Sequence, residues 1–91
     1  MTEAAYELLV AAGAERGLAR LPDGVAAAIV EFMLGALVEA PRRVGHELQR
    51  ELAGAWAARR GRYRVVYEID DSRLVVKVLR IDHRSDVYRP R

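Results

Sequence analysis

The sequence contains no cysteine, which excludes a disulfide framework and a thiolate metal site and fits a reducing compartment. Only two histidines are present, His46 and His83, so a zinc centre is not expected. Lysine is nearly absent as well, since fourteen arginines are joined by Lys77 alone. This skew favours planar, bidentate contacts with phosphate or carboxylate. No apolar run approaches the roughly 20 residues of a membrane span. The first residues lack the basic and apolar blocks of a signal peptide. The expectation is a soluble, unexported, cytoplasmic protein that does not engage a membrane. No internal repeat, low-complexity segment or linker breaks the chain, so residues 1–91 are read as one domain with one core.

Hydrophobic residues make up 52% of the chain and charged residues 31%, a balance that argues for an ordered globular fold. The formal net charge is only +2, but it is unevenly placed. Glu31 and Glu39 are the only charges between Asp23 and Arg42, whereas basic residues crowd together from Arg59 onward. A basic patch is expected at the C-terminal end.

Periodicity then assigns elements. Tyr6, Leu8 and Val10 fall at period two and predict a first strand. Ala14, Leu18 and Leu21 follow helical spacing up to Pro22. Val25, Ala28, Ile29, Phe32, Met33, Ala36 and Leu37 predict a long second helix, with Asp23 as its cap and Pro41 at its end. Val30, Leu34 and Val38 make its remaining faces apolar too, which predicts that this helix is sandwiched or covered by a partner. The segment VGHELQRELAG reads as a loop with Leu48 and Leu52 dipping into the core. Strands are expected at Trp56–Arg60, Tyr63–Asp70 and Leu74–Ile81, joined by short turns, with an extended stub at Asp86–Arg89. A strand, two helices and a run of strands predict an α+β domain with two N-terminal helices on one face of a small antiparallel sheet. Arg64 would then project from the open face.

The block from Gly61 and Tyr63 to Asp71, the strand LVVKVLRI and the ending DHRSDVYR resemble the RelE/ParE toxin superfamily, in particular RelE-type mRNA interferases. LARLP, the long helix ending in AP, and LQRELAG upstream match the same pattern. The resemblance spans nearly the whole chain. It implies a RelE-like microbial ribonuclease fold and a toxin of a type II toxin–antitoxin system. It also implies cleavage of mRNA, often in the ribosomal decoding site, without a cofactor or metal. The implied partners are a RelB-like antitoxin, mRNA and the ribosome, with operator DNA reached only through the antitoxin complex.

Position by position, the resemblance assigns catalysis to Arg64, Arg84 and Tyr88, and His83 matches a histidine that many relatives carry. Arg59, Arg60 and Arg62 would track the RNA backbone. Arginine can stabilise a crowded phosphorane but cannot act as the base, which leaves His83, Tyr88 and Glu68 for proton transfer. Ala55 and Ala57 stand where strongly active relatives place basic residues. Two other readings are a ParE-like inhibitor of DNA gyrase that does no chemistry, and a degenerate toxin retained as a corepressor with its antitoxin.

Overall fold

The computed structural model describes residues 5–49 and 52–83. The expected stub at Asp86–Arg89, together with Arg84 and Tyr88, lies outside the described residues. Strand β1 (Glu7–Val10) leads into helix α1 (Ala12–Ala19) and helix α2 (Asp23–Phe32), which continues as a π-helical turn, Met33–Leu37. Four strands follow: β2 (His46–Glu47), β3 (Trp56–Arg60), β4 (Tyr63–Asp70) and β5 (Val75–His83). They form one five-stranded sheet in the order β1-β5-β4-β3-β2. The sheet is antiparallel except at one edge, where the two-helix crossover returns β1 parallel to β5. Among the described residues, no helix is long and apolar enough to cross a membrane.

The core forms between the helices and one face of the sheet. Ile29, Phe32, Met33 and Leu37 pack with Ala58, Val65, Tyr67, Val76 and Val78. On β4 and β3 the strand period delivers these residues directly, because Trp56 pairs with Tyr67 and Ala58 with Val65. On β5 it does not. The register between β4 and β5 shifts between Val66 and Tyr67, so Val66 opposes Arg80, Tyr67 opposes Val78, and Leu79 is the extra residue of a bulge. Side chains therefore change parity at Leu79. Val76, Val78, Ile81 and His83 face the helices, while Lys77, Arg80 and Asp82 face away.

The structure corrects two expectations and decides a third. Helix α2 begins at Asp23 itself, with Pro22 at the cap position and no side-chain capping bond. Asp23 still places a negative charge in the first turn, where the helix dipole favours it. Leu48 is half-buried, but Leu52 is 36% exposed and lies outside the core. The outer apolar residues of α2 are partly sandwiched, one of the two arrangements expected: Val38 is buried by the fold itself and Val30 packs against the core, while Leu34 remains 63% exposed.

The loop after the helix is fixed by β4. Tyr67 is fully buried, and its hydroxyl donates to the Pro41 carbonyl at 2.5 Å. Burial pushes this phenol up to about 12. Gly45 crosses directly over the same spot. A Cβ there would meet the Tyr67 hydroxyl and lie 2.6 Å from the Ala57 carbonyl oxygen. Gly35, inside the π-helical turn, has nothing within 4 Å of such a Cβ. We expect Gly45→Ala to destabilise the fold by about 1–3 kcal/mol through overpacking, measured as a lowered urea midpoint. Gly35→Ala should be neutral or slightly stabilising, as for glycine in a helix interior.

Candidate nucleic-acid interface

The two ends of β4 carry different chemistry. Beside its C-terminal end, Asp71 accepts two hydrogen bonds from Arg42, at 3.1 and 2.7 Å, and one from the Tyr6 hydroxyl at 2.6 Å. The Arg42 guanidinium, followed by the Tyr6 hydroxyl, holds the Asp71 carboxyl down at about 2. Arg42 also sits 5.8 Å from the centre of the Trp56 ring. This exposed cluster ties β1, the α2–β2 loop and the β4–β5 turn together. Both terminal nitrogens of its arginine bond to Asp71.

At the N-terminal end of β4 several arginines gather near one carboxylate, Asp82. Arg64 is directly opposite Arg59 on β3 and Asp82 on β5, so all three side chains leave the face that points away from the helices. Arg80 lies two residues before Asp82 on that face, and its Nε donates to Asp82 Oδ2 at 2.8 Å. Like charges directly opposed across two strands cost stability. Here Arg59 and Arg64 are opposed. Moreover, Arg64 Nε is buried and has no hydrogen-bond partner among the described residues. A buried guanidinium N–H without a partner is costly, and with Arg59 and Arg80 on the same face Arg64 adds to a local concentration of positive charge.

The floor of this region is apolar. Val66 opposes Ala57, and Ala55, Ala57 and Val66 are all buried although they are not part of the helix-side core. Ala55 and Ala57, where the family resemblance implies basic residues, are therefore small packed side chains. Glu68 shares the face but stands opposite Lys77, about 13 Å along the strand from Arg64.

The sheet separates several residues that the sequence reading grouped. His83 is opposite Tyr63 on the helix face, and their rings meet edge to face with centroids 5.0 Å apart. It is thus on the other side of the sheet from Arg64. Arg60 also lies on the helix face, with its guanidinium 4.0 Å from the centre of the Phe32 ring. Arg62 is exposed in the β3–β4 turn, which Gly61 closes with φ +60. Arg60, Arg62, Tyr63, Val25, Ala28 and Ile29 line a cleft of about 460 Å³ between α2 and that turn. Trp56 packs against the core. Among the described residues, no group of three or more histidine, aspartate or glutamate side chains could hold a metal ion.

The sequence reading missed Arg80 and Asp82 as members of the site. Their signal was the spacing of Val76, Val78 and Ile81, two residues and then three, which marks the parity change in β5.

The same architecture occurs in known proteins. A model of the ParE toxin of type II toxin–antitoxin systems, parDE, matches residues 8–88. The chain belongs to the RelE/ParE toxin family. Toxin RelG of Mycobacterium tuberculosis (strain ATCC 25618 / H37Rv) is 50% identical over 84 residues, which cover 92% of this chain and 97% of that protein. Toxin RelE of the same organism is 48% identical over 84 residues, covering 92% and 87% respectively. The crystal structure of the toxin–antitoxin complex RelBE2 from M. tuberculosis contains a chain that superposes with a TM-score of 0.86 at 48% identity, covering 89% of this chain and 100% of that one. The isolated E. coli RelE toxin superposes with a TM-score of 0.71 at 27% identity and 92% coverage of each chain. The fold expected from the strand and helix order is therefore that of RelE.

The faces divide the arginines into two classes with different expected behaviour. Arg59→Ala should weaken RNA binding and reduce its salt dependence by about one unit of log–log slope, because one phosphate contact is lost. Arg60→Ala should instead lower thermal stability, by about 0.5–1 kcal/mol for an exposed cation–π contact, and leave the slope unchanged. Filter binding across a salt series and thermal melts check both.

Proposed function

We propose that this RelE-type toxin is an mRNA interferase, an endoribonuclease that cuts mRNA in the ribosomal decoding site and so stops translation. The observation that carries the reading is the orphaned Arg64 Nε on a face where Arg59 and Arg80 add charge. The high identity to relatives named RelG and RelE supports it further.

In this reading the ribose 2′-oxygen attacks the adjacent phosphorus and the bond to the 5′-oxygen breaks. Charge builds on the non-bridging oxygens in between. Arg64 meets that charge with its guanidinium fork. Arg84 and Tyr88, carried over by family resemblance, supply a second fork and the hydroxyl that protonates the leaving 5′-oxygen. Arg59 and Arg62 hold the backbone. His83 is assigned no proton transfer, because its ring packs on Tyr63 across the sheet from Arg64.

The reading includes a RelB-like antitoxin that restrains the toxin and carries it to operator DNA. Its support is the toxin–antitoxin complex of the M. tuberculosis relative and the exposure of Leu34 on the π-helical turn. A second reading, inhibition of DNA gyrase, is favoured by the matching family description, which names ParE.

One induction experiment separates the two. RNA 5′ ends and plasmid supercoiling are followed together after the toxin is induced, with and without the adjacent small reading frame. New 5′ ends within translated codons, suppressed by the neighbour, are expected. Lost supercoiling with intact mRNA would replace the interferase with the gyrase inhibitor.

A further inference from the structure

We propose that Asp82 is the general base of this site, the group that takes the proton from the attacking 2′-hydroxyl; the inference rests on the endoribonuclease reading. A nuclease face built from arginines lacks a proton acceptor, since guanidinium stays charged at any physiological pH. The basic side chains that active relatives carry on the neighbouring strand are here Ala55 and Ala57, both buried. His83 is turned to the helix face, and Glu68 is about 13 Å along β4 from Arg64. Asp82 is the acid that the fold delivers to Arg64. The two are direct cross-strand partners, which places their Cβ atoms about 5 Å apart on one face. This delivery depends on the bulge at Leu79. Without the parity change, Asp82 would point into the core and His83 would take its place.

The carboxylate is also oriented. Arg80 Nε donates to Oδ2 at 2.8 Å, and the Asp82 side chain retains 22% exposure. One oxygen is held while Oδ1 accepts no hydrogen bond from the described residues. Arg59, Arg64 and Arg80 all share its face, so a phosphate drawn to the arginines brings the adjoining ribose to the carboxylate. The step balances without a co-reactant. The 2′ O–H proton passes to Asp82, the 2′-oxygen bonds to phosphorus, the P–O5′ bond breaks, and the leaving oxygen is protonated by the site's acid. The products are a 2′,3′-cyclic phosphate and a 5′-hydroxyl. Arg80 is a positioning residue in this scheme.

The test is single-turnover cleavage of mRNA on programmed ribosomes by the full chain, Asp82→Asn and Asp82→Ala, with sodium formate or sodium chloride added at equal ionic strength. Asp82→Asn keeps the shape and an acceptor for Arg80, and should cleave at least about a hundredfold more slowly, the usual scale for a lost general base. Its ribosome binding should be retained or tightened, because a negative charge has left a phosphate site. Formate, but not chloride, should restore part of the Asp82→Ala rate in proportion to its concentration. Parental cleavage by Asp82→Asn would overturn the proposal. So would slow variants that formate does not rescue, which would make Asp82 only a brace for Arg80. If the parent chain itself leaves mRNA intact, the endoribonuclease reading fails and this inference falls with it.

Discussion

The parity change at Leu79 is the constraint on which the rest of the molecule depends. A strand presents alternate residues to opposite faces, so one inserted residue exchanges the faces for everything beyond it. Before the bulge, Val76 and Val78 complete the core against Leu8, Val10 and the helices. Beyond it, regular alternation would bury Arg80 and Asp82 under α1 and expose Ile81. The bulge instead returns Ile81 to the helix side. There it meets Gly17, where an added Cβ would lie 3.3 Å from the Ile81 side chain and backbone. Gly13 makes the same close approach to the Leu79 carbonyl at 3.3 Å. The two glycines weaken α1 as an isolated helix and let it lie close against the bulged strand.

That arrangement makes two unlike surfaces from one hairpin. On the helix side, Tyr63 stacks edge to face with His83, and the Arg60 guanidinium lies over Phe32 at the margin of the cleft that Arg60 and Tyr63 line. On the other side, Arg59, Arg64 and Asp82 stand in a row across three strands, Arg80 pairs with Asp82, and Ala57 and Val66 form an apolar floor beside them. The paired arginines are unfavourable to one another in the free protein. An anion bound between them would offset that repulsion.

Most of the fold was legible because its signals are local. The apolar spacing from Val25 to Leu37 carries the long helix, and the short turns at Gly61 and Asp71 carry the hairpins. Arg64 was legible as a residue on the far side of Val65 and Tyr67, since β4 alternates without interruption. His83, Arg80 and Asp82 were not, because the alternation seen up to Val78 cannot be extended through a bulge. The parallel return of β1 was likewise hidden, being set by a crossover and not by any residue in β1. Asp23 failed as a cap for a local reason: Pro22 occupies the cap position, and the helix already starts at Asp23. Periodicity left open whether the outer apolar residues of α2 are sandwiched or covered by a partner; the fold's own packing claims Val30 and Val38 and leaves Leu34 exposed.

The central claim is that the Arg64 guanidinium binds a reacting phosphate and not merely a distant stretch of RNA backbone. The most direct measurement compares the single-turnover rate and the ribosome affinity of the parent chain with those of Arg64→Ala and Arg64→Lys. The account predicts a rate loss of about a hundredfold or more in Arg64→Ala, little change in affinity, and only partial recovery with lysine, which keeps the charge but not the fork. Cleavage by Arg64→Ala at the parental rate would contradict it.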